Sequence, residues 1–181
     1  DYVRVAGAEL PGLCRRVDET VALAVWGSRG PVFVRWEEPA HPVASNVRAG
    51  SLIPVLRSAS GRMLAAYLPA EVVAPFVDQE LRQAVRARRA PGPKSRRAVE
   101  QLLAEIRSTG LARVSGDLLT GVNAISAPVF DHRNRIVLAL TVLGDASRFD
   151  CFRNGPIARA VKETALAISH RLGYRDDRAA A

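Results

Sequence analysis

The order of apolar and polar residues along the chain predicts two β-hairpins. The runs Val21–Trp26 and Val32–Trp36 are rich in β-branched and aromatic residues, and they flank a turn that contains glycine and proline. Val122–Phe130 and Ile136–Leu143 flank the polar turn Asp131–Arg135 in the same way. Each pair is therefore predicted to form two antiparallel strands joined by a short connection.

Helices are predicted where apolar residues recur at spacings of three and four positions. Serine before such a stripe and glycine after it mark the predicted ends. The predicted helices are the end of a helix over Ala8–Asp18, a helix from Ser58–Gly61 to Pro69, a short helix over Ala70–Phe76 disturbed at its end by Pro75, a helix from Ser95 to Gly110, and a long helix from Ile157 to Leu172 that ends at Gly173.

The sequence of these elements predicts the fold class. Val43–Val47 is expected to continue the sheet, and Arg175–Ala181 is expected to be a frayed tail. Strands and helices do not alternate as they do in a βαβ protein, and no internal repeat of about 20–50 residues is evident. We therefore expect an α+β domain in which helices cover the faces of an antiparallel sheet.

Composition narrows the class of protein. The 181 residues are 48% hydrophobic and 24% charged, which is ordinary for a globular domain. The longest apolar run, Ile136–Leu143, is far shorter than the roughly 20 residues of a membrane-spanning helix. Two cysteines fit a reducing cytoplasm and exclude a disulfide framework. The chain begins with Asp1 rather than methionine, so we expect it to lack an N-terminal part.

The net charge of +8 is concentrated in one segment. Seven basic residues and no acid lie between Arg82 and Arg97. No aromatic residue is interleaved with them, although single-strand nucleic-acid platforms use aromatic side chains to stack bases. We interpret the segment as a solvated basic loop, since blocks of like charge are usually exposed. Nucleic-acid binding by the segment is the alternative.

Residues with catalytic or metal-binding potential are few and scattered. The chain has no GxSxG, HExxH, P-loop or GxGxxG motif. His41, His132 and His170 fall in a proline-flanked loop, a turn and the last helix. Cys14 is expected to be a core thiol, and the acidic neighbour of Cys151 raises the pKa of a thiol rather than lowering it. The pattern favours neither an enzyme nor a metal centre.

The helix start at Ser58–Gly61 is the strongest candidate for a binding site. Free N–H groups and the positive end of the helix dipole suit a carboxylate, although a plain N-cap explains the same residues. Small or polar residues lie among the aliphatics of the second hairpin, at Asn123, Ala124, Ser126 and Thr141. Small residues opposite a helix start leave space, which favours a ligand pocket between sheet and helix.

Five segments of the chain resemble motifs of the IclR family of transcriptional regulators. Their order and approximate spacing agree from about Leu10 to Gly173. The segments are Pro54–Ala66, similar to PLHATASGKALLA; Leu103–Gly110, similar to LxxIRxxGY; Gly121–Asp131, similar to GVxxIAAPVFD; Leu138–Gly144, similar to AALSVSGP; and Ala165–Gly173, similar to AxxISxxLG.

The resemblance implies that residues 1–181 are the family's C-terminal effector-binding domain, with a core at about residues 10–173. It implies a GAF-like (profilin-like) antiparallel sheet flanked by helices, and no enzymatic activity, metal or cofactor. The family's winged helix-turn-helix domain, which binds DNA, is not in this chain. The family also implies a homodimer or homotetramer, a cytoplasmic location and a small organic or aromatic acid as effector.

The resemblance also places a ligand-binding site in this sequence. Polar anchors of the family's glyoxylate sensors correspond to Val114, Ala124, Thr141 and Leu143, of which only the threonine is polar. We therefore expect the effector to be a carboxylate with an apolar body. The implied ligand-binding residues are Ala59, Ser60 and Gly61 at the helix start, Val114 and Asp117 in the preceding loop, Val122 and Ala124 on one strand, and Thr141 and Leu143 on the next.

Two other functions remain open on the sequence alone. Ser60 in the helix-start anion site suits a small hydrolase or acyl-transfer enzyme, but no histidine is near it in sequence to act as a base. The Arg82–Arg97 segment suits a stand-alone nucleic-acid-binding module, whose affinity for duplex DNA would depend strongly on salt.

Overall fold

The computed structural model of the chain describes residues 1–87 and 91–176. Within these residues, six helices surround one five-stranded sheet. The helices are α1 (Tyr2–Gly7), α2 (Leu10–Val17), α3 (Ala59–Tyr67), α4 (Ala70–Arg86), α5 (Arg96–Thr109) and α6 (Pro156–Arg171). The strands are β1 (Thr20–Gly27), β2 (Gly30–Glu37), β3 (Ala112–Ser115), β4 (Val122–Phe130) and β5 (Ile136–Asp145).

All neighbouring strands of the sheet are antiparallel, in the order β2-β1-β5-β4-β3. Both predicted hairpins are present, and β1 joins them by pairing with β5, with Ala22 opposite Thr141. The α+β class with helices on the faces of an antiparallel sheet is thereby confirmed. The hydrophobic run of β5 is explained by its central place, because a strand buried on both faces needs no polar alternation.

The two faces of the sheet are covered by different helices. Leu140 and Val142 of β5 face one core, which α1, α2 and α6 close. Ala139 and Leu143, one position out of step, face the other core with α3 and α5. Period-two alternation therefore divides the apolar residues of each strand between two layers. The second layer is the one that contains the candidate site.

Helix α4 is longer than the sequence predicts. The prediction of a short helix ending near Phe76 is wrong, because α4 continues to Arg86 with Pro75 inside it. Val73 and Val77 are buried on either side of the proline, and their burial offsets the hydrogen bond that proline cannot donate. The prediction of a basic loop is consequently wrong for Arg82 and Arg86, which lie in α4, and for Arg96 and Arg97, which lie in α5. Arg88 and Arg89 lie outside the described residues.

Two short segments also differ from expectation. Val43–Val47 is not a strand; instead Leu52 bridges Val32, and the Ile53 N–H donates to the Pro31 carbonyl at 3.0 Å along the outer edge of β2. Strand β3 was not predicted, since four residues containing an arginine and a serine carry no clear alternation. Of the predicted frayed tail, residues 177–181 lie outside the described residues.

Candidate functional site

A small apolar cavity lies between the second face of the sheet and the start of α3. Its volume is about 30 Å³, which is room for about two water molecules. The polar side chains in its wall are the hydroxyls of Ser58, Ser60 and Thr141, and the other lining residues are apolar. The apolar lining residues are Phe33, Trp36, Val47, Ala59, Val114, Leu118, Leu119, Val122, Ala124 and Leu143.

The first turn of α3 is held in place by Ser58. Its hydroxyl donates to the Pro54 carbonyl at 2.6 Å and accepts from the Gly61 N–H at 2.9 Å. Ser58 is thus the N-cap, as the sequence predicts, and it satisfies the Gly61 donor. The N–H groups of Ala59 and Ser60 make no hydrogen bond to another described residue, so they are the donors that the helix start presents.

A chain of three buried hydroxyls connects α3 to the sheet. Ser60 Oγ lies 2.6 Å from Thr141 Oγ1, and Thr141 donates to Ser126 Oγ at 2.9 Å. Ser126 in turn donates to the Leu140 carbonyl at 3.2 Å. Ser60 and Thr141 are each 1% exposed and Ser126 is fully buried. Each of these hydroxyls therefore has a partner, as a buried polar group requires.

Arg62 ties together three segments that line the cavity. Its guanidinium donates to the Leu56 carbonyl at 2.7 Å, to the Arg113 carbonyl at 2.9 Å and to Asp117 Oδ2 at 2.6 Å. The side chains of Arg62 and Asp117 are 7% and 19% exposed. The ion pair thus fastens the loop at residues 116–121 to α3 and β3. No sequence motif pointed to this role of Arg62.

Glu80 of α4 supports the turn before α3. Its carboxylate accepts hydrogen bonds from the N–H groups of Val55 and Leu56, the second at 2.9 Å. The turn at residues 54–57 lies directly before the N-cap Ser58. Glu80 therefore acts on the helix start from a distant part of the sequence, which is why the pattern of the turn itself did not reveal it.

Seven of the nine ligand-binding residues expected from the sequence line the cavity. Gly61 and Asp117 do not: Gly61 lies against Pro54 and Ser58 behind the helix start, and the Asp117 carboxylate is paired with Arg62. Ser58, which belongs to the helix start singled out from the sequence, lines the cavity as well. Five further lining residues carried no signal in the sequence: Phe33, Trp36, Val47, Leu118 and Leu119.

The cysteines have raised pKa values. Burial raises the pKa of Cys151, with a smaller opposing effect from Arg113, and burial raises the pKa of Cys14. A raised pKa leaves a thiol protonated at neutral pH, which opposes nucleophilic catalysis. In residues 1–87 and 91–176 no three metal-ligating side chains cluster, and no helix is long and apolar enough to cross a bilayer.

Comparisons with known proteins agree with this fold. Residues 1–170 match the family model described as bacterial transcriptional regulator IclR C-terminal. The regulator XynR of Escherichia coli is 30% identical over 175 residues, which cover 96% of this chain and 68% of that protein. KipR of Bacillus subtilis, an HTH-type transcriptional regulator, is 27% identical over 177 residues, which cover 96% of this chain and 68% of KipR.

Solved structures of other proteins have the same fold. HmgR of Pseudomonas aeruginosa superposes with a TM-score of 0.86 at 40% identity, covering 96% of this chain and 68% of that chain. IclR of Thermotoga maritima superposes with a TM-score of 0.82 at 24% identity, covering 96% and 69%, which supports the fold alone. XynR and KipR are named as HTH-type transcriptional regulators, so the chain is a regulatory domain rather than an enzyme. It belongs to the IclR family of bacterial transcriptional regulators.

Proposed function

We propose that residues 1–181 form the effector-binding domain of an IclR-type regulator, and that the effector is a carboxylate with an apolar body. The observation that supports this proposal is the cavity at the start of α3, where two N–H groups without a partner among the described residues meet a wall that is apolar apart from three hydroxyls. The free N–H groups of Ala59 and Ser60 suit the carboxylate of a ligand. The apolar part of the wall suits a ligand with an apolar body.

The lining favours an apolar acid over a two-carbon acid. Burying about 100 Å² of apolar ligand surface against Val122, Ala124 and Leu143 stabilises the complex by roughly 2.5 kcal/mol. Glyoxylate has almost no such surface, and its other oxygens would face apolar side chains, at a cost of about 1–3 kcal/mol for each unpaired group. Both effects favour an aromatic or medium-sized organic acid.

Binding requires the cavity to enlarge, since about 30 Å³ does not hold an aromatic ring. The loop at residues 116–121 is the part of the wall best placed to move. Gly116 and Gly121 flank it with φ values of +75° and +77°, a conformation that glycine adopts without strain. Leu118 and Leu119 lie between them and line the cavity. Displacing these two leucines would enlarge the cavity, which Ala124 also lines.

Thermal-shift measurements with a panel of acids test the proposed effector class. Benzoate and phenylacetate are expected to raise the unfolding temperature, and glyoxylate is expected to leave it unchanged. Ala124→Phe is expected to abolish the shift by occupying the cavity, whereas Ala124→Ser, a similar volume, is expected to retain it. Stabilisation by glyoxylate but not by the aromatic acids would contradict the proposal.

We further propose that the effector domain acts on DNA through a winged helix-turn-helix domain outside this chain. We also propose that the regulator works in the cytoplasm. The exposed arginines of the Arg82–Arg97 segment suit phosphate contacts, which carry no sequence information, and one of them, Arg96, is paired with Asp78 at 2.7 Å. The chain alone is expected to bind duplex DNA weakly and without sequence preference. A footprint at a defined operator would contradict this.

Self-association to a homodimer or homotetramer completes the proposal. Its support is the family and the exposure of several large apolar side chains, among them Leu52, Val72, Phe152 and Leu166. Sedimentation at tens of micromolar is expected to give a mass above the 19.5 kDa of one chain. A monomer at that concentration would rule this part of the proposal out.

A further inference from the structure

Exposed basic side chains without a carboxylate partner lie where α4 ends and α5 begins. They belong to four residues, Arg82, Arg86, Lys94 and Arg97, which together are named the basic patch. None of the ion pairs found among the described residues includes any of them. Removing their four charges would halve the formal net charge of +8, so the patch carries a large part of the positive field of the chain.

The ion pair between Arg96 and Asp78 brings the two halves of the basic patch together. Arg96 Nη2 lies 2.7 Å from Asp78 Oδ2, so the start of α5 lies against α4. Arg82 and Arg86 follow Asp78 by one and two turns on the same face of α4. A helix rises 1.5 Å per residue, which places them about 6 and 12 Å from Asp78 along the axis. The patch is therefore one surface of the fold, not only a run of charge in the sequence.

The acidic residues beside the basic patch do not neutralise it. Asp78 is engaged by Arg96, and the carboxylate of Glu80 accepts the N–H groups of the turn before α3. Glu100 in α5 is exposed, and no ion pair found among the described residues includes it. Four cations thus stand against this one carboxylate, and the surface keeps a positive excess.

Helix stability does not explain the charges at the start of α5. Arg97 lies in the first turn, which contains no acidic residue, and Lys94 directly precedes the N-cap Ser95. The N-terminal end of a helix dipole is positive, so cations there weaken the helix and acids strengthen it. An anionic partner bound at this surface would offset that unfavourable interaction.

We infer that the basic patch is a contact surface of this domain for the phosphate backbone of duplex DNA. Duplex DNA carries one negative charge about every 1.7 Å of its axis, so cations spaced by a helical turn meet phosphates in any sequence. The guanidinium groups of Arg82, Arg86 and Arg97 suit phosphate, because their planar donors can bind two of its oxygens at once. DNA is favoured over an acidic protein because XynR and KipR are named as HTH-type transcriptional regulators. The inference goes beyond the proposed function, in which a domain outside this chain contacts DNA.

The affinity of residues 1–181 for duplex DNA of arbitrary sequence tests the inference, measured by fluorescence anisotropy at several salt concentrations. The patch variant carries Arg82→Gln, Arg86→Gln and Arg97→Gln. Its affinity at about 50 mM salt is expected to be at least about tenfold lower than that of the parent. The slope of log affinity against log salt is expected to become shallower by about 2–3, since each lost phosphate contact removes about 0.9.

A control variant removes the same charge elsewhere. Arg4, Arg15 and Arg133 are exposed and in none of the ion pairs found among the described residues. They lie in α1, in α2 and in the turn between β4 and β5, away from the ends of α4 and α5. Replacing all three with glutamine is expected to lower the affinity by less than about threefold and to change the slope by less than about one.

Unfolding curves separate lost contacts from lost structure. Arg97→Gln removes a cation from a helix start, so this single variant is expected to unfold at the same urea concentration as the parent or a higher one. Weaker DNA binding with unchanged or greater stability supports the inference. Weaker binding that accompanies partial unfolding of Arg97→Gln would contradict it.

Three further outcomes would overturn the inference. Equal weakening of the patch variant and the control variant would mean that DNA responds only to the total charge. Tighter binding of poly-glutamate than of duplex DNA at the same salt concentration would assign the patch to an acidic protein. No binding of DNA at about 50 mM salt would leave the patch without this role. None of these results bears on the effector, because the patch does not line the cavity and the patch variant is expected to keep the thermal shift caused by acids.

Discussion

Gly61 has no space for a side chain, because the turn before α3 passes directly against its Cα atom. A Cβ atom at this position would lie 2.7 Å from both Ser58 Oγ and the Val55 Cα, and closer still to the Pro54 carbonyl. These neighbours are backbone atoms and the N-cap itself, so none of them can give way cheaply. The cap that orients the Ala59 and Ser60 donors therefore depends on the absence of a side chain at residue 61.

Gly61→Ala is accordingly expected to destabilise the fold by about 1–3 kcal/mol, the usual range for overpacking, and to remove the response to acids. Gly12 in α2 is the matched control, because a Cβ there meets no atom within 4 Å. Gly12→Ala is expected to be neutral or to stabilise by up to about 1 kcal/mol. Urea unfolding curves measure both effects, and equal stabilities for the two variants would refute the argument.

The residues of the site differ in how far their roles could be predicted from the sequence. The role of Ser58 as N-cap follows from the chemistry of helix starts, and Ala124 and Thr141 stand out as small or polar residues among aliphatics. Phe33 and Leu119 carry no such signal, since each is an ordinary apolar residue that reaches the cavity only through tertiary packing. Asp117 was assigned to the ligand by resemblance, and the structure pairs it with Arg62 instead.

At the scale of elements, the Arg62–Asp117 pair connects the loop at residues 116–121 to the helix that carries the N–H donors. Removing the carboxylate charge leaves the guanidinium of Arg62 buried with two carbonyls and without its anion. A buried charge deprived of its partner costs more than an exposed one, because water cannot replace the lost contact. The loop is therefore expected to loosen before the rest of the fold.

Asp117→Asn is expected to lower the free energy of unfolding by roughly 1.5–3 kcal/mol and to speed amide hydrogen exchange in the loop at residues 116–121. Asp78→Asn breaks the exposed pair with Arg96, whose side chain is 70% exposed, and is expected to cost less than about 1 kcal/mol. Hydrogen exchange followed by mass spectrometry checks the loop. Unchanged exchange there in Asp117→Asn would show that the pair does not hold it.

Helices and strands with a clear hydrophobic periodicity could be predicted from the sequence. Elements whose length or pairing depends on tertiary packing could not. Helix α5 begins at the Ser95 cap and ends at Gly110 in the left-handed conformation, as its sequence indicates. Helix α4 was not predictable in length, because Pro75 is a local stop signal that the burial of Val73 and Val77 overrides. Val43–Val47 has β-branched residues, but the edge of β2 pairs with Leu52 instead.

For the whole molecule, two buried carboxylates, Asp131 and Glu19, contribute to the pH dependence of stability with opposite signs. Burial opposes ionisation of Asp131, but N–H groups of Arg135 and Arg133 and the Arg135 guanidinium hold the pKa of that carboxyl below its usual range. A lowered pKa contributes stability above the unfolded-state pKa of about 3.9, and the contribution is lost as the pH falls through the folded value. Asp131→Asn is therefore expected to destabilise the fold at pH 7, with a difference that shrinks in acid.

The pKa of Glu19 is shifted in the opposite direction. Burial raises the pKa of Glu19, Arg148 offsets this only in part, and Asp18 and Asp145 add to it. Its raised pKa contributes stability that is complete below the unfolded-state pKa of about 4.3 and is lost as the pH rises through the folded value. Glu19→Gln is therefore expected to stabilise the fold at pH 7 and to make little difference below about pH 4. Urea midpoints measured across this range test the pair: a Glu19→Gln variant that is less stable than the parent at pH 7 would mean that attraction to Arg148 outweighs burial.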